Sequence, residues 1–173
     1  FFTDDNISMG FRRLSIIDLG AGHQPIYNED KSLVLTFNGE IYNYKDLRKE
    51  LIAKGHKFYT DTDSEVLVHG FEEWKEDMLP KLRGMFAFII WDKNKKKLFG
   101  ARDIFGIKPF YYFLDEENFI FSSEIEGIFA TDLVQKKIIF KHLAYTFYLN
   151  SSFAPNTIYN NIYSLEAANQ LKV

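Results

Sequence analysis

Cysteine is absent from the 173-residue sequence. That absence excludes disulfides, thiolate metal sites and thiol nucleophiles from these residues, and it fits a reducing, cytoplasmic setting. Long apolar runs are missing too. The longest, Met85 to Trp91, is far short of the roughly 20 residues that a membrane-spanning helix needs, so a soluble chain with no membrane partner is expected. Neither sign of charge dominates. With 21 Lys and Arg against 24 Asp and Glu, the formal net charge of −3 offers no general attraction to nucleic acid. The chain opens Phe1-Phe2 without a signal-peptide pattern and reads as a piece of something longer.

What is abundant is aromatic: 18 Phe, 10 Tyr and 2 Trp bring the aromatic share to 17%. Large flat side chains favour sheets packed face to face. The length suits one compact domain that buries about two-thirds of its unfolded surface. Period-2 patterns predict strands over Met9–Asp18, 33–37 and Lys57–Thr60, and a turn over Gly20–Pro25. The spacing of Tyr44, Leu47 and Leu51 predicts a helix from Tyr44 to Lys54, closed by Gly55. A polar turn, TDTDSEV (60–66), leads into a second helix that reaches Trp74, with Leu67, Phe71 and Trp74 on one face. A short helix follows over Asp77–Leu82, interrupted by Pro80.

Four strands at 85–92, 98–103, 109–114 and 118–123 read as an antiparallel meander. Helices follow at Ser123–Ala130 and Lys141–Tyr148, with a strand at the intervening KKIIF and an extended piece at Thr157–Tyr159. Strands, then helices, then strands again give an α+β class in which helices cover stacked sheets.

The stretch TFNGEIYN (36–43) carries two readings. Asn38-Gly39 after an apolar run is a hairpin-turn signal. However, Asn43 followed three residues later by Asp46 looks like a helix N-cap. As an alternative to a turn, the Asn38 amide and the unhindered Gly39 N–H could stabilise a developing oxyanion. Arg13 and Asp63 form a second candidate pair, because a free α-amino acid needs a bidentate cation for its carboxylate and an anion for its ammonium. A surface salt bridge for Arg13 and a helix cap for Asp63 remain the structural alternatives.

Other patterns carry less. DTDSE (61–65) alternates acids like a calcium loop but lacks the glycine and the distant glutamate. His23, His56, His69 and His142 show no ligand spacing such as HxxxH, so solvated or hydrogen-bonded roles and no metal are expected. RGMFAF (83–88) imitates an RNA-contact strand with one residue too many, and KNKKK (93–97) reads as a solvated hairpin tip.

Taken in order, RRLSIIDL (12–19), HQP (23–25), NGEIYN (38–43), TDTDSEV (60–66), GMFAFIIWD (84–92), RDIFGIKPFYY (102–112) and FSSEIEGI (121–128) resemble the glutaminase domain of glutamine-dependent asparagine synthetases. PNTIYNNIYSLEAANQL (155–171) is similar to the segment that closes that domain, with Ala167-Ala168 in place of the usual Pro-Gly. The resemblance implies an N-terminal-nucleophile hydrolase fold, an αββα sandwich of two antiparallel sheets between helical layers, here without its first strand. It implies an amidotransferase domain over 1–165, with 166–173 starting the connection to a synthetase domain.

Glutamine would be held by Arg13 at the carboxylate and by Asp63 at the ammonium. Glu40, Leu14, Ser15 and the backbone of Ile16 and Ile17 would complete the pocket, and Asn38 and Gly39 would form the oxyanion hole. The domain itself would need no cofactor, whereas ATP and Mg²⁺ belong to the synthetase portion of the parent. A homodimer is compatible with the resemblance. The family's attacking group is an N-terminal cysteine. These residues contain no cysteine and no SGGxDS-type pyrophosphate loop, so the chain by itself is expected to be inactive. Rival readings are an amidotransferase domain serving another acceptor, a non-catalytic glutamine-binding or docking module, and an RNA-binding module.

Overall fold

The computed structural model describes residues 1–11 and 23–173. They divide into two compact units, Phe1–Gly100 with Leu171–Val173, and Ala101–Gln170.

The first unit is built on two long strands, β4 (Leu33–Ile41) and β5 (Gly84–Asp92). They pair antiparallel over nine positions, from Leu33 opposite Asp92 to Ile41 opposite Gly84. The expected strand therefore does not stop at residue 37. It continues through Asn38-Gly39, so the Asn-Gly pair is neither a hairpin turn nor a strand end. Gly39 is required because the two backbones nearly touch: a Cβ there would overlap the Met85 carbonyl oxygen, and one at Gly84 would overlap that of Glu40. Both faces of this ladder are buried over much of its length, which explains the unbroken run FAFIIW in β5.

An earlier hairpin pairs β1 (Phe2–Thr3) with β2 (Ser8–Met9), and β3 (Ile26–Tyr27) adds to β4. β6 (Lys97–Arg102) and β10 (Gln170–Lys172) complete a five-stranded sheet in the order β10-β6-β5-β4-β3. Of the strand expected at Met9–Asp18, only its start lies within the described residues.

Helix α1 (Tyr44–Ala53) buries Leu47 and Leu51, as its spacing predicts. Gly55, at a φ of 103°, ends it: its N–H bonds to Ile52 and that of His56 to Leu51, which satisfies two terminal carbonyls. Asn43 does not cap α1 with its side chain. Its amide instead donates to the Lys81 carbonyl and accepts from the Arg83 N–H, tying the helix start to the segment that enters β5. Helix α2 (Glu65–Trp74) is followed by a 3-10 helix over Lys75–Lys81. Phe71 of α2 stacks on Phe99 of β6 at 4.9 Å.

No strand forms at Lys57–Thr60. Backbone N–H groups in that segment go to carboxylates rather than to a neighbouring strand: Lys57 to Glu29, and Tyr59 and Thr60 to Glu65.

The second unit holds a three-stranded sheet, β8-β7-β9, made of β7 (Tyr111–Leu114), β8 (Phe119–Ser122) and β9 (Ile162–Ser164). The anticipated four-strand meander is thus broken between β6 and β7, which belong to different sheets. Arg102 accounts for the break. Its guanidinium donates to the Lys108, Gly106 and Leu165 carbonyls, while Asp103 accepts the N–H groups of Phe105, Ile107 and Lys108, so the chain is folded into a compact corner. Helix α3 (Ile125–Phe129) supplies Ile128 and Phe129 to a core with Phe113, Val134 and Ile162. Helix α4 (Phe140–Leu149) follows. The KKIIF stretch contributes a single bridge, Ile138 to Tyr159, and not a strand.

Candidate functional site

The end of β4 and the loop before α2 meet in the first unit. Asp63 makes the junction: its Oδ2 accepts the Ile41 N–H at 2.8 Å, so it is used on the strand and not as a side-chain cap of α2. Burial pushes the Asp63 carboxyl above its ordinary range. Hydrogen bonds from the Ile41 N–H and the backbone at Asp63 and Ser64 oppose that rise, and the negative charge of Glu40 adds to it. A raised carboxyl beside a second carboxylate is a site that gains from an arriving cation. Glu40 is exposed, and Asn38 and Gly39 are half-buried. The Asn38 side-chain amide makes no hydrogen bond among the described residues. Asn38 and Glu40 lie two residues apart on β4 and so share one face of the strand.

The loop that carries Asp63 is held from below by a network that the sequence reading did not single out. Thr60, Thr62 and Ser64 form a hydroxyl ladder, with Thr60 to Thr62 at 2.8 Å and Thr62 to Ser64 at 3.0 Å. The ladder ends on Glu65, which is fully buried and accepts the N–H groups of Tyr59 and Thr60, both at 2.8 Å. Burial by itself would raise the Glu65 carboxyl. Hydrogen bonds from His69, Thr60 and the two backbone N–H groups outweigh it and hold the group below its usual range. The alternation in TDTDSE thus has a structural meaning: its hydroxyls brace the loop inside while Asp61 stays exposed and Asp63 turns to β4. The signal lay in Thr and Ser at every second position.

Gln24, the middle residue of HQP, pins that segment to β4 by a paired amide contact. It accepts the Phe37 N–H at 2.6 Å and donates to the Phe37 carbonyl at 2.7 Å. The expectations placed on Arg13, Leu14, Ser15, Ile16 and Ile17 lie outside the described residues. A pocket of about 280 Å³ in the second unit, lined by Lys141, His142, Tyr145 and Phe153 among others, contains none of Asn38, Gly39, Glu40 or Asp63.

Residues 1–173 match the family model described as a glutamine amidotransferase domain. The chain belongs to that family. Among relatives, this amidotransferase domain is 43% identical over 175 residues to asparagine synthetase [glutamine-hydrolyzing] 1 of Bacillus subtilis (strain 168), covering 100% of the chain and 27% of that protein. It is 37% identical over 187 residues to a putative asparagine synthetase [glutamine-hydrolyzing] 2 of Methanocaldococcus jannaschii, covering 98% and 36%. The chain therefore spans roughly a quarter to a third of the length of these relatives.

Among solved structures, the glutamine phosphoribosylpyrophosphate amidotransferase of B. subtilis, complexed with ADP and GMP, superimposes with a TM-score of 0.55 at 23% identity, over 66% of this chain and 28% of that one. The likeness establishes a shared fold, the N-terminal-nucleophile hydrolase type with antiparallel sheets. No helix among the described residues is long and apolar enough to cross a membrane.

Proposed function

We propose that this amidotransferase domain is the glutamine-binding part of an asparagine synthetase that hydrolyses glutamine and passes the ammonia to aspartate. The observation that carries the reading is the placement of Asp63. Its bond to Ile41 sets a raised carboxyl beside Glu40, on the strand that carries Asn38 and Gly39. The two acids take the α-ammonium of L-glutamine, and Arg13 takes its carboxylate, with Leu14, Ser15, Ile16 and Ile17 closing the pocket. The Asn38 amide and the Gly39 N–H then face the side-chain carbonyl, where they stabilise the oxyanion formed on attack.

The attacking thiol is not supplied by these residues, which hold no cysteine. The domain works without a cofactor, and ATP with Mg²⁺ activates aspartate in the synthetase portion. The domain occupies 1–165, and 166–173 begins the connection, which returns along the sheet as β10. The absence of cysteine among these residues fits a reducing, cytoplasmic location.

The test uses the whole protein that carries this domain. Arg13→Ala should raise the KM for glutamine while leaving ammonia-dependent asparagine synthesis intact, and equal loss of both activities would make Arg13 structural. Asn38→Ala should lower the glutamine-dependent kcat by roughly 10²–10³. Purified 1–173 should release no ammonia from glutamine above a buffer blank.

A further inference from the structure

His56, His69, Glu29 and Glu72 converge from three places in the first unit: the turn after β3, the loop after α1, and two positions on α2. Each offers a ligand atom, and the four atoms lie within 4.8 Å of one another. We propose that these four side chains form a binding site for a divalent transition metal of the zinc type, separate from the glutamine pocket.

The decisive observation is His69. It is wholly buried on α2, and its Nδ1 has no hydrogen-bond partner among the described residues. That nitrogen faces a carboxylate, 3.2 Å from Glu29 Oε2, without the alignment of a hydrogen bond. The opposite ring nitrogen, Nε2, lies 3.3 Å from Glu65 Oε1. A neutral imidazole has one N–H, and Glu65 needs it, so a lone pair is left pointing at Glu29. A lone pair and a carboxylate repel unless a proton or a metal ion lies between them, and the misalignment of Nδ1 with Glu29 makes a proton the poorer bridge.

His56 repeats the arrangement. Its Nδ1 is 3.5 Å from Glu29 Oε1 and 3.8 Å from Glu72 Oε2, while its Nε2 is 3.4 Å from Glu73 Oε2. Both histidines thus turn Nδ1 inward and rest Nε2 on an outer carboxylate, which is how metal-bound histidines are commonly oriented. The acids are steadied as well: the Lys57 N–H donates to Glu29 Oε1 at 2.8 Å, and Asn28 Nδ2 to Glu72 Oε2 at 3.2 Å.

Distance and donor type together point to the class of ion. Zinc bonds of 2.0–2.1 Å in a tetrahedron separate neighbouring ligand atoms by about 3.3 Å. The shortest contacts, 3.2 Å from His69 Nδ1 to Glu29 Oε2 and 3.5 and 3.8 Å from His56 Nδ1 to Glu29 Oε1 and Glu72 Oε2, bracket that value, and with all four ligand atoms within 4.8 Å of one another a bound ion would draw the wider pairs inward. Two imidazoles and two carboxylates favour zinc and its neighbours over Mg²⁺ or Ca²⁺, which prefer all-oxygen shells. A bound ion would clamp α2 to the turn after β3 and to the loop that follows α1.

Calorimetric titration of the chelator-stripped chain with Zn²⁺ alone is the test. One equivalent should bind with a Kd in the micromolar range or tighter and raise Tm by roughly 5 °C at saturation. His56→Gln and Glu72→Gln, at positions outside the fully buried core, should each weaken binding at least tenfold while the metal-free Tm stays within about 2 °C of the parent. His142→Gln, in the second unit, should leave zinc binding unchanged. X-ray absorption should show two imidazoles among the zinc ligands. The proposal is overturned if the folded chain takes up no zinc saturably, if both cluster variants bind as the parent does, or if Mg²⁺ binds equally well. None of these readouts depends on glutamine turnover, so they stand or fall apart from the amidotransferase reading.

Discussion

Helices α2 and α4 are each ten residues long, and both carry many apolar side chains, yet seven residues of α2 are buried and none of α4. The inversion goes further. Two polar residues of α2, Glu65 and His69, lie wholly inside, whereas Phe140, Phe147 and Tyr148 of α4 are 80%, 80% and 87% exposed. Composition therefore does not decide burial. The start of α2 is fixed by a ring of hydrogen bonds around Glu65, and Phe71 is stacked on a strand. The start of α4 is held by backbone and ring contacts, Ile139 to Ile158 and His142 to Thr157, which leave its aromatic face uncovered among the described residues.

The contrast can be broken at its strongest point first. Leu67→Ala empties a fully buried site on α2 and should cost about 3 kcal/mol in chemical denaturation. A loss below about 1 kcal/mol would mean that α2 is less firmly packed than its burial implies.

Glu65→Gln removes a charge that receives hydrogen bonds from two backbone N–H groups, a hydroxyl and a ring nitrogen, and should cost about 2 kcal/mol at pH 7. Because the Glu65 carboxyl lies below its ordinary 4.5, its stabilisation is complete above that value and is lost as pH falls through the folded value. The variant should therefore show a flatter acid limb, and an unchanged limb would assign acid unfolding to other carboxylates.

Asp63, at the entrance to α2, should behave in the opposite way. Its carboxyl is raised, so whatever it contributes is present below 3.8 and is lost as pH rises through the folded value. Asp63→Asn keeps an acceptor for the Ile41 N–H and should be slightly more stable than the parent at pH 7, the difference shrinking as pH falls below 3.8. On the proposed role of Asp63, glutamine binding by the parent protein should be lost at the same time. The smallest effect belongs to α4: Phe147→Ser should change stability by less than about 0.5 kcal/mol, since the ring is already in water. A larger loss would show that something covers this face in solution.

Much of the fold was legible because local patterns were strong. The spacing of Leu47 and Leu51 and the glycine after them defined α1, and the run from Met85 to Asp92 defined β5 to within one residue. The errors arose where a distant group outbid a local one. Asn43 looked like a cap, but carbonyl and N–H groups near Lys81 and Arg83 claimed its amide. Lys57–Thr60 looked like a strand, but its N–H groups were taken by Glu29 and Glu65. The strand carrying Asn38-Gly39 ran on past its apolar stretch because β5 lay alongside to pair with it.

The sequence by itself determined the family, through an ordered set of motifs, and it supplied the charges on which the proposed glutamine pocket rests. It also determined that no thiol lies among these residues. Only the tertiary structure decided that Asp63 bonds to the strand rather than capping a helix, and that a hydroxyl ladder braces its loop. It alone brought His56 and His69 to one carboxylate across separate elements. The reason is physical: spacing along the chain encodes which faces of a helix or strand are apolar, whereas the partner of a polar group depends on which segments the fold brings within 3 Å or so.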